Sequence, residues 1–157
     1  MKLLKKLLFF LIGGTGYVGL ELLWRGRSHG SMFLAGGVSF LLLGKLNAAK
    51  SRLPMALRCL MGAGIITCVE LAAGLAVNRD YRVWDYRQLP LNFCGQICLI
   101  YSLLWIPVSF FALLLHRAAE LTLSKLRLPS LPAAAGRWSA WFRRTPSQPS
   151  GRRSQDR

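Results

Sequence analysis

The stretch CGQICLIYSLLWIPVSFFALLL, residues 94–115, contains no Asp, Glu, Lys or Arg. A helix rises 1.5 Å per residue and the hydrocarbon core of a bilayer is ~30 Å thick, so an uncharged apolar run of roughly 17–25 residues is long enough to cross it. Working outward from this stretch, three further apolar runs of similar length precede it, at 7–23, 30–46 and 59–77, with short basic loops between them. The sequence therefore predicts an all-α fold, a polytopic transmembrane bundle of four spans over residues 1–115. Residues 116–128 read as a juxtamembrane amphipathic helix, with Ala118, Leu121, Leu126 and Leu128 against lipid and Arg117, Lys125 and Arg127 toward anionic headgroups. Residues 129–157 turn to Pro, Ser, Ala, Gly and Arg and read as a basic, mostly disordered tail, with Trp138, Trp141 and Phe142 available to the membrane surface.

Composition agrees. The 157 residues are 53% hydrophobic with a mean hydropathy of +0.35, yet they carry 21 Lys and Arg against 6 Asp and Glu, a net charge of +15. Apolar and charged residues are segregated along the chain, and four spans leave little room for a soluble catalytic domain. The basic residues sit in loops and the tail and not on a folded polar surface with a readable motif, so no nucleic-acid partner is expected. With four spans, Lys2, Lys5, Lys6, Lys45, Lys50, Arg52, Arg58 and the tail fall on one side, and Arg25, Arg27, Arg79, Arg82 and Arg87 on the other. The first set is richer, which puts both termini in the cytoplasm by the positive-inside rule and the protein in the inner membrane. Lys2, Lys5 and Lys6 ahead of an apolar run also suit a signal peptide, but no clear small-x-small cleavage motif follows, and Glu21, Trp24 and Arg25 close the run as an interfacial helix end would.

Motifs of soluble chemistry do not survive their context. Gly13-Gly14-Thr15-Gly16-Tyr17-Val18-Gly19 has the look of a dinucleotide-binding turn, but a Rossmann unit needs repeated strand–helix units and an acidic residue about 20 positions on. Here another membrane-length run follows, and Gly13 and Gly16 are read instead as close-approach positions between helices in lipid. Gly44-Lys45 lacks the spacing and the Ser or Thr of a phosphate-binding loop, so no cofactor is expected and an ATP-driven process would need a separate ATPase subunit. Cys59, Cys68, Cys94 and Cys98 lie in or beside apolar runs without C-x-x-C spacing. They read as packing residues, although Cys94 and Cys98 would share a face if helical. No Ser-His, Cys-His or H-E-x-x-H arrangement is present, and the chain is expected not to be an enzyme.

Ionisable groups within apolar runs are the sharper signal, since each costs a few kcal/mol in hydrocarbon and turns toward protein or water. Glu70 lies about 10 Å from the outer end of its helix, seven residues before Val77. It is either a helix-locking carboxylate or a solute contact. Glu21 is four residues from Arg25 and is placed to pair with it. Between the third and fourth runs, Trp84, Asp85 and Tyr86 set an anion between two amphipathic rings, and Pro90 and Asn92 turn the chain toward the last span. This loop reads as an interfacial anchor or as a lid over the two carboxylates. Pro107, inside the last span, bends it and frees a backbone carbonyl. His29 and His116 read as headgroup-level residues.

Residues 21–47, ELLWRGRSHGSMFLAGGVSFLLLGKLN, with Tyr17 four positions ahead, resemble the first half of the small membrane proteins described as ABC-transporter type IV. Glu70, Tyr81-Arg82-Val83-Trp84-Asp85-Tyr86, Leu91-Asn92, Gly95-Gln96-Ile97-Cys98-Leu99 and Leu104-Trp105 resemble the second half. The resemblance implies a multi-pass bacterial membrane protein named as a permease, with no assigned substrate. This chain departs from it with Val83 before Trp84, where an aromatic is usual, and with Ile106-Pro107 after Trp105, where glycine is usual. The expectation is a transport-related membrane subunit, active as a homo-oligomer, whose Glu21, Glu70, Trp84, Asp85, Tyr86 and Asn92 contact a cation or polar solute. The alternative is a non-transporting scaffold or assembly factor for a larger envelope complex.

Overall fold

The structure, a computed structural model, describes residues 2–48 and 53–125; the expectations for the basic tail fall outside these residues. Four helices follow one another, α1 (Lys2–Arg25), α2 (Gly30–Ala48), α3 (Met55–Val77) and α4 (Leu99–Lys125), with a two-stranded hairpin, β1 (Asn92–Phe93) and β2 (Ile97–Cys98), between the last two. All four helices are long and apolar enough to cross a membrane. Large apolar side chains such as Leu3, Leu23, Leu60 and Phe111 lie on the outside, as expected where the surrounding solvent is lipid.

The glycines of α1 do their work against α2. A methyl group on Gly13 would run into Phe40 and lie 2.7 Å from the Gly36 carbonyl, and one on Gly36 would run into Tyr17 and lie 2.7 Å from the Gly13 carbonyl. Gly14 and Gly37 are covered in the same way by Phe33 and Phe10. This reciprocal fit brings the two backbones into close contact along their length. It also settles the glycine motif: residues 13–19 lie inside α1, with no strand before them. Gly16 departs from its expected part, because a methyl there would meet nothing within 4 Å.

α1 and α3 begin earlier than the apolar runs that mark them, at Lys2 and Met55, and both ends of the fourth helix differ from the sequence reading. The fourth helix begins at Leu99 and not at 94, because Gly95 and Cys94 adopt left-handed backbone (φ 61° and 53°) and fold residues 92–98 into the hairpin, with Asn92 opposite Cys98 and Phe93 opposite Ile97. Cys94 is consequently exposed, Cys98 is buried, and the two share no helix face. At its other end α4 runs on to Lys125 without the separate juxtamembrane helix expected from 116. No Gly or Pro interrupts residues 108–125, and the helix also continues through Pro107, which has no N–H to offer the carbonyl of Leu103.

His116 likewise differs from its headgroup-level expectation. It is buried, its ring 4.3 Å from that of Phe9 and 5.3 Å from that of Phe40. His29 does lie at a helix end, where its Nδ1 accepts the backbone N–H of Ser31 at the start of α2. A core of Tyr17, Met32, Ala35, Leu43, Ile66 and Leu113 ties the four helices together, with Trp84 from the loop joined to it.

Candidate functional site

Glu70 is 7% exposed and hydrogen-bonded on both oxygens: the Tyr17 hydroxyl donates to Oε1 and the Trp105 indole N–H to Oε2, each at 2.6 Å. Three helices thus meet on one carboxylate. Their depths agree: Tyr17 precedes the end of α1 by about 12 Å, Glu70 the end of α3 by about 10 Å, and Trp105 follows the start of α4 by about 9 Å. A hydrogen bond to a charged group contributes about 1.5–3 kcal/mol, more than a neutral one. Among the described residues Glu70 has no ion-pair partner.

Beside this carboxylate lies a cavity of about 360 Å³. Its acidic and basic walls are Glu70, Glu21 and Arg25, and its aromatic walls are Tyr17, Trp24, Tyr86, Tyr101 and Trp105. Glu21 and Arg25 form the ion pair that their spacing predicted, and the Ser28 hydroxyl donates to the second Glu21 oxygen at 2.5 Å. Arg25 also donates to the Val83 carbonyl at 3.2 Å, which fastens the end of α1 to the α3–α4 loop. The Tyr86 ring stacks on Tyr101 of α4, centroids 4.9 Å apart, and closes one side of the cavity. Loss of water raises the Tyr86 hydroxyl well above its ordinary pKa, with the Glu70 charge adding to the shift, so the ring is a neutral phenol.

What holds Tyr86 there is a knot of buried amides. Asn78, fully buried at the end of α3, donates to the Trp84 carbonyl at 2.7 Å and to Gln96 Oε1 at 3.0 Å, and it accepts the Val83 N–H at 2.9 Å. Gln96 returns a bond to the Asn78 carbonyl at 2.9 Å, and its own carbonyl accepts the Trp84 indole N–H at 2.8 Å. Gln96 sits against Gly74, where any side chain would collide with it. Where the loop is buried, at Asn78, Trp84 and Gln96, its backbone groups have to be satisfied internally, and these side chains do so.

Of the residues singled out from sequence, the structure brings Glu21, Glu70 and Tyr86 to one cavity, and Pro107 borders it as well. It does not bring Trp84, Asp85 or Asn92 there. Trp84 points into the core. Asp85 is exposed and forms a forked pair with Arg87, whose hydrogen bonds, from the guanidinium first and the backbone N–H second, hold the carboxyl down at about 2. Asn92 braces the turn, donating to the Leu89 carbonyl at 2.8 Å and accepting the Gly95 N–H at 3.1 Å. Sequence reasoning passed over Tyr17, Arg25 and Trp105 as cavity residues. The signal for Tyr17 was present, since it lies four residues before Glu21 and shares its helix face.

No curated protein and no solved structure matches the chain. A family model does, over residues 7–136, a range that takes in every residue of the cavity. The chain belongs to the membrane-protein family described as "Putative ABC-transporter type IV".

Proposed function

We propose that this chain is the membrane-embedded, non-enzymatic subunit of a transport system, and that the cavity beside Glu70 receives a small cation or polar solute. The observation that carries this reading is a buried carboxylate with no cationic partner among the described residues, set in the wall of a cavity large enough for a small molecule. Five aromatic rings around it favour an organic cation, which such faces attract by about 0.5–2 kcal/mol each once water is removed. Membership of a transporter-type family supports the same reading. Residues 13–19 lie inside α1, where Gly13 and Gly14 pack against α2, and form no nucleotide-binding turn, so the energy source is assigned to a separate ATPase subunit. Both termini are assigned to the cytoplasmic side of the inner membrane, and the cavity to the outer half.

The full-length protein in phosphatidylcholine nanodiscs, titrated with tetramethylammonium, tests the site through the fluorescence of Trp24 and Trp105. The expected result is a saturable change whose Kd rises at least tenfold in Glu70→Gln. No saturable change, or one indifferent to Glu70→Gln, would overturn the site. Copurification separates the wider readings: an ATPase subunit supports transport, whereas a stoichiometric envelope enzyme supports the scaffold.

A further inference from the structure

A second cavity, of about 490 Å³, lies directly beneath the first. The two share a wall formed by Tyr17, Leu20, Trp105 and Val108. Their linings differ in kind. The upper one holds Glu21, Arg25 and Glu70 among aromatic rings, whereas the lower is bounded by glycine and alkyl or aromatic side chains, Ser39 being its one hydroxyl besides Tyr17. Each volume falls in the ~300–1,000 Å³ range of small-molecule sites. Both are open clefts and not enclosed voids, so what fills them is set by the surroundings onto which they open.

Three further observations describe that occupant. The rims of both cavities are exposed apolar residues, Leu20 and Leu104 above and Phe111 and Leu115 below, so the spaces open sideways toward lipid between α1 and α4. Gly16 lines the lower cavity and is not used in packing, for a methyl there meets nothing within 4 Å. Ser39, 4% exposed, borders the same space with a hydroxyl that has no hydrogen-bond partner among the described residues. A polar upper chamber with a carboxylate that has no ion-pair partner among the described residues and an apolar lower chamber open to acyl chains together match a molecule that is itself half cationic and half hydrocarbon.

We propose that the two cavities form one amphiphile site: an ammonium head lies against Glu70 and the aromatic walls, and a single alkyl chain runs past Gly16 through the lower cavity toward Leu115. This deepens the reading of the upper cavity as a cation site and rests on it. The ligand enters laterally from the membrane and never crosses bulk water. Its chain gains packing contacts and not the hydrophobic effect, because it comes from surroundings as apolar as those it enters. Selectivity consequently resides in the head.

The test uses the full-length protein in phosphatidylcholine nanodiscs and, as probe, a hexadecyltrimethylammonium ion carrying a diazirine at mid-chain, with photoadducts located by peptide mass spectrometry. Adducts are expected on the α2 and α4 peptides containing Ser39 and Ala112. They should fall at least tenfold in Gly16→Leu, which fills the lower cavity from a position where a Cβ meets nothing within 4 Å, and in Leu115→Trp, which narrows it from an exposed rim and does not depend on α1 tolerating a larger residue. Tetramethylammonium binding should be unchanged in both variants. If labelling is scattered over lipid-facing residues, or persists in both occluding variants while tetramethylammonium still binds through Glu70, the alkyl-chain proposal is overturned and the cation site stands. If tetramethylammonium binding is absent or indifferent to Glu70→Gln, the cation site falls and the amphiphile with it.

Discussion

Lys5, near the start of α1, and Glu120, near the end of α4, form an ion pair at 2.8 Å although 115 positions separate them in sequence. A chain that crosses a layer an even number of times brings its last helix back to the side where its first began. This pair is the local expression of that closure, and His116, stacked on Phe9 one turn deeper, repeats it.

Reporter fusions check the topology. Fusions ending at Arg27 and Arg82 are expected on one side of the membrane, and fusions ending at Lys50 and Arg157 on the other. Finding the two ends of the chain on opposite sides would dissolve the common face on which the cavity is built. The pair itself is half exposed and contributes only about 0.2–1 kcal/mol, so Lys5→Glu should destabilise slightly and Lys5→Glu with Glu120→Lys should recover most of the loss.

Gly13 and Gly16 should respond to alanine with opposite signs. At Gly13 the new methyl collides with Phe40 and the Gly36 carbonyl, and overpacking of this kind costs about 1–3 kcal/mol. At Gly16 it meets nothing, and alanine's better helix propensity contributes up to about 1 kcal/mol. Thermal unfolding of the two variants in one detergent provides the comparison. Equal shifts would contradict the packing described.

Tyr17→Phe removes one of the two donors to Glu70 and should cost about 1–3 kcal/mol. Glu70→Gln should cost less: the amide oxygen still accepts the Trp105 indole N–H, and the amide N–H can donate to the Tyr17 hydroxyl, so both contacts persist but lose their charge assistance. The double variant should cost less than the sum of the two, since both act on one network. Additive losses would mean that the two side chains are not coupled.

Asn78→Ala strands the Trp84 carbonyl, the Val83 N–H and Gln96 together and is expected to cost several kcal/mol. Its informative effect is local. The Trp84 environment and the Tyr86–Tyr101 stack should loosen first, seen as lost near-ultraviolet dichroism before any loss of helix. Simultaneous loss of both signals would deny the loop this independence.

Asp85 should titrate at about 2, below its ordinary 3.8. Because the folded value is the lower one, the Asp85–Arg87 pair is fully formed above about pH 4 and is lost as the pH falls through about 2. The carboxyl carbon resonance of Asp85 reports this directly, and Arg87→Gln should return it to the ordinary range. The cavity should be indifferent to that change, since Asp85 does not border it.

How much of this was legible beforehand depends on the kind of signal. The four spans were, because length and scarcity of charge suffice to specify a crossing. Glu70 was, because a carboxylate inside an apolar run must find partners. Its partners were not, since a tyrosine and a tryptophan within apolar runs look like ordinary core or interface residues until the fold sets them at one depth. Trp84-Asp85-Tyr86 was read as a unit, yet along an extended loop neighbouring side chains turn to different sides: Trp84 inward, Asp85 outward to Arg87, Tyr86 to the cavity. The hairpin at 92–98 is hidden in the sequence because its residues carry no charge and run directly into the apolar helix that follows. Only the left-handed backbone at Cys94 and Gly95 distinguishes it, and a non-glycine in that conformation gives no composition signal.

The unequal spacing of the helices also distributes stiffness. α1 and α2 are joined backbone to backbone through Gly13 and Gly36, whereas at the cavity α4 is held off α1 by the rings of Tyr17 and Trp105, 5.4 Å apart. The far end of α4 is pinned by His116 and Glu120, about 16 and 22 Å along the helix from Trp105. α4 is thus tethered at two levels by side chains, to α1 through Glu120 and His116 and to α3 through Trp105, and at the cavity ring thickness, not backbone contact, sets its distance from α1.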